Sequence, residues 1–200
     1  MKKMISAIIP ALILTSAMPF QANAETSSPA IDYELVGVWY SEKMGSCFVE
    51  FCTDGMMYGD FNETLEEFYE SREAGSVFAE ALYTADGSAI SAENTVTQYK
   101  ISGNTMTVTF GAADYIFSRA FSLGDPNDDG SINALDASAV LTEYALTATT
   151  GAPGLEFVQR KAADVNCDGA VNALDASEIL GYYAYTATGG AGCFAEYYYE

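Results

Sequence analysis

Asp125-Pro126-Asn127-Asp128-Asp129-Gly130-Ser131-Ile132-Asn133-Ala134-Leu135-Asp136 is followed, later in the same chain, by Asp164-Val165-Asn166-Cys167-Asp168-Gly169-Ala170-Val171-Asn172-Ala173-Leu174-Asp175. Side-chain oxygens stand at positions one, three, five and twelve of each block, with Gly at six. Alternate residues of such a loop turn their oxygens toward one point, and the Gly permits the sharp bend that a chain wrapped around Ca²⁺ requires. A single match reads equally well as a solvated acidic turn. Two matches, each ending in the same Asp and entering the same kind of helix, read as a duplicated calcium site.

The expected ligands of the first site are Asp125, Asn127, Asp129, the backbone carbonyl of Ser131, Asn133 through a water, and Asp136. Those of the second are Asp164, Asn166, Asp168, the carbonyl of Ala170, Asn172 and Asp175. Three carboxylates facing one dication leave each filled site close to a single negative charge, so binding relieves most of the local repulsion. Two Ca²⁺ ions are therefore expected, and with them the folding of this half of the chain. The duplication continues beyond the loops: Val140–Thr149 aligns without gaps on Ile179–Thr188. At helical spacing Ala137, Val140, Leu141, Tyr144 and Ala148 share a face, as do Ala176, Ile179, Leu180, Tyr183 and Ala187. These two faces are expected to pack on each other as core.

Two features depart from an ordinary EF-hand. The twelfth ligand is Asp rather than Glu, and Phe121-Ser122-Leu123-Gly124 is too short to supply a helix entering the first loop. With these departures the repeat resembles a type I dockerin, the module that plugs secreted proteins into a cellulosome scaffold. The resemblance spans about residues 123–192, including a short connecting helix near Leu155–Ala163. It implies two loop–helix calcium motifs and binding to a cohesin domain of a scaffoldin. In dockerins the tenth and eleventh loop positions help select the cohesin. Here they are Ala134-Leu135 and Ala173-Leu174, which with Ser138, Thr142, Ser177 and Gly181 form the expected cohesin-binding faces. Many dockerins carry Lys or Arg further along the helix, where this chain has Leu141-Thr142 and Leu180-Gly181, so apolar contact is expected to choose the partner. Near-identical copies imply two near-equivalent faces and docking in two orientations related by a half-turn.

Lys2 and Lys3, the apolar run Ile5–Leu14 and Ala22-Asn23-Ala24 read as an export signal over residues 1–24, cleaved between Ala24 and Glu25. The run is too short for a membrane span, so no membrane insertion is expected. The protein is then secreted and extracellular, reaching a cell surface only through its scaffold. A net charge of −20 excludes nucleic acid and anionic lipid as partners. The absence of His excludes zinc–His sites and Ser-His or Cys-His catalysis. Four Cys allow three full pairings. Cys47 and Cys52 flank one short strand at an odd offset and point to opposite faces. Cys167 and Cys193 form either a staple or two thiols, cellulosome producers being commonly anaerobes.

After a polar leader at 25–31, residues 32–122 read as a small antiparallel β-barrel or meander with one helix. The whole chain is then an α+β protein of two modules, with an all-α dockerin over 123–192 and a tail at 193–200. Strands are expected at Leu35–Ser41, Cys47–Cys52 and Met56–Tyr58, in the hairpin Asn94–Ile101 and Thr105–Phe110 around Ser102-Gly103-Asn104, and at Tyr115–Phe121. Leu65, Phe68 and Tyr69 fall at helical spacing within Asn62–Ser71, read as a lid or plug helix. Gly37-Val38-Trp39 resembles the Gly-x-Trp start of lipocalin-like barrels, which implies a small barrel able to hold an apolar or sugar ligand. Trp39, Tyr40, Tyr58 and Tyr83 either line such a site or serve as core and surface aromatics.

Dockerin cargo is usually polysaccharide-degrading, and glycoside hydrolysis needs two carboxylates across a cleft. Glu50, Asp60, Glu63, Glu66, Glu67 and Asp114 are the candidates, and Glu63, Glu66, Glu67 and Glu70 read better as a solvated helix face. No nucleophile motif is present, and about 90 residues suffice for one modest core. The leading expectation is a non-catalytic cellulosome component, monomeric when free, whose β module binds plant polysaccharide, a released product or another protein. A small O-glycosyl hydrolase and a structural or inhibitory protein are the alternatives.

Overall fold

The computed structural model describes residues 30–92 and 95–199; the export segment, with Ala24 and Glu25, lies outside them. The described residues part between Arg119 and Ala120 into two compact units.

The first unit is a closed antiparallel barrel in which each strand pairs with its neighbours in sequence. Its strands are β1 (Gly37–Ser41), β2 (Cys47–Phe51), β3 (Met56–Phe61), β4 (Ala79–Ala85), β5 (Ala89–Ala92), β6 (Thr95–Ser102), β7 (Thr105–Phe110) and β8 (Ala113–Arg119). Alternation with a period of two puts one side chain in every pair inside. In β4, Ala79, Ala81, Tyr83 and Ala85 are buried while Glu80, Leu82 and Thr84 are exposed. Trp39, Phe51, Met57, Tyr83, Ile90 and Met106 are fully buried within the unit. Each such side chain contributes about 1.5–3 kcal/mol relative to exposure.

The Gly-x-Trp opening closes the barrel. β1 pairs with β8 through Trp39↔Arg119 and Tyr40↔Ser118. The Arg119 guanidinium lies 4.1 Å over the Trp39 ring. It donates to the carbonyls of Val36 (2.8 Å) and Glu34 (2.6 Å). The Trp39 indole N–H donates to the Leu35 carbonyl at 2.7 Å. Gly37 has φ +119°, and a Cβ there would stand 3.2 Å from Arg119 Nη1. Only glycine leaves the arginine room and takes that backbone shape without strain.

The expected strands are present with shifted ends, and β4 and β5 are additional. Their alanines and single aromatic lacked the β-branched runs that mark a strand in sequence. The helix, α1 (Leu65–Glu73), starts at a capping box. Thr64 Oγ1 accepts from the Glu67 N–H (3.2 Å) and Glu67 Oε2 accepts from the Thr64 N–H (3.1 Å). It is neither lid nor plug. In β2, Cys47, Val49 and Phe51 join the barrel core. Phe48 and Glu50 alternate with them to the outer wall, and α1 covers these two. Phe68 stacks on Phe48 at 5.7 Å. The Tyr69 hydroxyl and the Arg72 guanidinium both reach Glu50. Arg72 also lies 4.6 Å over the Tyr58 ring. The four aromatics weighed between a ligand site and core or surface roles are thus divided by the wall: Trp39 and Tyr83 inside, Tyr40 and Tyr58 outside.

The second unit contains α2 (Ala134–Thr150), α3 (Phe157–Ala163), α4 (Ala173–Ala187) and α5 (Phe194–Tyr199). Ala137 and Val140 of α2 and Ala176 and Ile179 of α4 meet in a core with Ala163, Val165 and Phe194. The expected core faces are corrected beyond these four. Leu141, Tyr144, Leu180 and Tyr183 are exposed, and so are Ala148 and Ala187. The buried stripe is rotated toward Glu143 and Tyr182, because the first turn of each helix is already committed by a buried Asp. Residues 194–199, with no element expected, form α5. Among the described residues no helix is long and apolar enough to cross a membrane.

Candidate metal centres and docking face

Each loop is organised by its first carboxylate. Asp125 is buried; its Oδ1 accepts from the N–H of Asp129 (3.2 Å) and its Oδ2 from that of Gly130 (3.0 Å). Asn127 Oδ1 accepts from Asp129 N–H at 2.9 Å, and Asp129 Oδ1 from Ser131 N–H at 2.9 Å. Asp128, at the fourth position, takes φ +57° to make the turn. Asn133 ends the loop and begins the helix. Its Oδ1 caps the Leu135 N–H at 2.8 Å, and its amide donates to the Ser131 carbonyl at 2.9 Å. That carbonyl keeps a second lone pair. Asp136 Oδ2 accepts from the Asn133 N–H at 2.9 Å, completing a capping box.

The second loop repeats this arrangement. Asp164 accepts from Asp168 N–H (3.1 Å) and Gly169 N–H (3.0 Å), and Asn166 from Asp168 N–H (2.9 Å). Asp168 accepts from Ala170 N–H at 2.8 Å. Asn172 caps Leu174 N–H at 2.8 Å and donates to the Ala170 carbonyl at 3.0 Å. Asp175 accepts from Asn172 N–H at 2.9 Å through Oδ2 and from Val165 N–H at 3.0 Å through Oδ1. Cys167 takes the φ of +57° that Asp128 takes in the first loop, and its thiol stands 3.7 Å from the Tyr199 hydroxyl.

The donors suit a hard cation. Asp136 and Asp175 are completely buried. Asp136 Oδ1 has no hydrogen-bond partner among the described residues. A buried carboxylate oxygen left bare costs about 1–3 kcal/mol, and a cation beside it removes that cost. Burial pushes the Asp136 carboxyl above its ordinary value; the Asn133 N–H opposes the rise, and the charges of Asp125 and Asp129 add to it. Burial raises the Asp164 carboxyl likewise, against the Gly169 N–H. Among the described residues no three or more Asp, Glu, Cys or His side chains are drawn around one point. The donor set of each loop is mixed instead, carboxylate with amide and backbone carbonyl, and its carboxylates take N–H groups of their own loop.

Residues 123–182 match the family model of the dockerin type I domain. The chain carries a type I dockerin. No curated protein matches the chain.

In the dockerin the tenth and eleventh loop positions open the two long helices. Ala134, Leu135, Ser138 and Thr142 are all exposed on α2. Leu135, at 66 % exposure, is not a core residue. On α4, Ala173, Leu174 and Ser177 are exposed, with Leu174 at 62 %, whereas Gly181 is half-buried. Sequence reasoning missed two residues of the second unit. Glu143 is buried and its Oε2 accepts from the N–H groups of Gly154 (2.8 Å) and Leu155 (2.9 Å), holding the entry to α3 against α2. An acid in the middle of α2, beyond the loop's own Asp136, was the available signal. Tyr197 lies against Gly181, and nothing short of the folded α5 announces that contact.

Proposed function

We propose that this protein is a secreted cellulosome component, docked to a cohesin of a scaffoldin through a calcium-dependent dockerin that holds two Ca²⁺ ions. The observation that carries the reading is the duplicated loop with buried first and twelfth carboxylates, inside the segment that matches the dockerin model. Asp125, Asn127, Asp129, the Ser131 carbonyl, Asn133 and Asp136 would hold one ion. Asp164, Asn166, Asp168, the Ala170 carbonyl, Asn172 and Asp175 would hold the other. Bound calcium would supply the positive charge that lets these carboxylates stay buried and ionised. The chain's own residues do the rest. Asn133 and Asn172 join each loop to its helix, and the capped helix α2 presents Leu135 to a sheet surface, a helix-on-sheet contact of apolar character, with Leu174 exposed at the matching position of α4. Export through the segment ending at Ala24 belongs to the same reading.

The barrel is proposed as non-catalytic cargo that serves polysaccharide degradation by binding. The candidate carboxylates support this by what they already do. Glu50 is engaged by Arg72 and Tyr69. Glu67 belongs to a helix cap. Asp114 accepts from Thr109 at a hairpin end. Large side chains fill the barrel interior, so a binding surface is sought on the outer wall rather than in a cavity.

The test is binding of the full chain to immobilised cohesins in calcium and in chelator, alongside reducing-sugar release from plant cell-wall polysaccharides. Cohesin capture that disappears in chelator, with no sugar release, is the expected result. Capture by no cohesin would overturn the docking role; sugar release would replace the cargo reading with a hydrolase.

A further inference from the structure

The two repeats differ at a place that faces the proposed partner. Along α2, Ser138, Leu141, Thr142, Ala145, Leu146 and Thr149 line an open groove. Gly181 of α4 matches Thr142, and Tyr185 matches Leu146. There the chain fills the matching surface with its own Tyr197. The Tyr197 ring lies 5.1 Å from the Tyr185 ring and 5.5 Å from the Tyr182 ring. Its hydroxyl stands 2.6 Å from where a Cβ at Gly181 would be, so the seat exists only because that residue is glycine. The segment carrying Tyr197 is tied down. Phe194 is in the core, the Tyr182 hydroxyl donates to the Gly192 carbonyl (3.0 Å) and the Tyr185 hydroxyl donates to the Ala191 carbonyl (2.8 Å).

Leu174, Gly181 and Tyr185 are spaced by seven and four residues and share one helix face. Tyr197 therefore stands on the face that Leu174 opens, about 10 Å along the axis. A flat sheet lying over Leu174 meets the tyrosine; the same sheet over Leu135 meets only Thr142 and the open groove. We infer that α5 breaks the equivalence of the two repeats, so that a cohesin docks in one orientation, through the α2 face, with Tyr197 as the residue that excludes the half-turned one. The inference rests on the docking role proposed above and reverses the two-orientation expectation drawn from the duplicated sequence.

The test uses the full chain, saturated with calcium, against immobilised cohesin domains. Leu135→Asp is expected to weaken binding by about 30-fold or more, as loss of a central anchor does, while Leu174→Asp changes it by less than about threefold. Adding Tyr197→Ala to Leu135→Asp is expected to restore binding. Gly181→Thr, which gives α4 the residue of α2 and displaces the tyrosine from its seat, is expected to do the same without altering α5. Equal tolerance of the two Leu→Asp changes would overturn the inference, as would loss of binding on Leu174→Asp alone. Failure of both rescues, with far-UV circular dichroism unchanged, would also overturn it. If the unsubstituted chain binds no cohesin, the docking role fails first and this inference with it.

Discussion

Replacing Glu143 with alanine removes the carboxylate that holds the α2–α3 connection. Glu143 is only 3 % exposed, and one oxygen accepts two backbone N–H groups, from Gly154 at 2.8 Å and Leu155 at 2.9 Å. Hydrogen bonds to a charged acceptor contribute about 1.5–3 kcal/mol each, and the N–H groups left behind, on exposed Gly154 and half-buried Leu155, partly recover water. The expected loss is about 3 kcal/mol rather than the full sum of two bonds. For a unit of this size that corresponds to a fall in Tm of roughly 12–24 °C. Glu143→Gln keeps an acceptor oxygen and loses only the charge, so about half that loss is expected. Thermal unfolding in saturating calcium, followed by far-UV circular dichroism for the helical unit and by Trp39 fluorescence for the barrel, separates the two transitions. The helical transition should move and the barrel transition should stay. A loss below about 1 kcal/mol for Glu143→Ala would refute the assignment of Glu143 as the anchor of α3.

Arg119→Ala is expected to destabilise the barrel by about 2–4 kcal/mol, through loss of two charge-assisted bonds and a cation–π contact, with a red shift in Trp39 emission; unchanged emission and stability would contradict the closure described for β1 and β8. Burial, with the Asp60 charge adding, pushes the Cys47 thiol from 9.0 up to about 12. Its folded-state value lies above the unfolded one, so the neutral thiol's contribution to stability is fully present below 9.0 and is lost as pH rises toward about 12. The barrel transition should accordingly fall with pH across that window, less steeply in Cys47→Ala. Native Cys47 should also resist iodoacetamide at pH values where an exposed thiol reacts, and rapid alkylation without unfolding would contradict its burial.

The geometry of the twin loops was legible because it is local: oxygen acceptors at fixed offsets, glycine at the bend, an Asn that caps the following helix. The Gly37-Val38-Trp39 opening was legible for a related reason, since a positive φ and a close approach by Arg119 demand glycine. Packing was less legible where two surfaces compete for one helix. Leu141, Tyr144, Leu180 and Tyr183 have the spacing of a core face, yet buried Asp136 and Asp175 fix the rotation of α2 and α4 and turn those residues outward. The helix α1 read as a lid because its apolar residues needed a cover. A strand buried on both sides, with Phe48 and Glu50 on the outer wall, supplied that cover instead. The asymmetry at Tyr197 lay beyond reach because it depends on α5 returning onto α4.

Calorimetric titration of the chelated full chain with Ca²⁺, with helicity read in parallel, bears most directly on the twin loops. Two ions bound per chain, with helicity gained on binding and lost again in excess chelator, is the predicted outcome. Fewer than two ions, or full helicity at every stage of chelation, would contradict it.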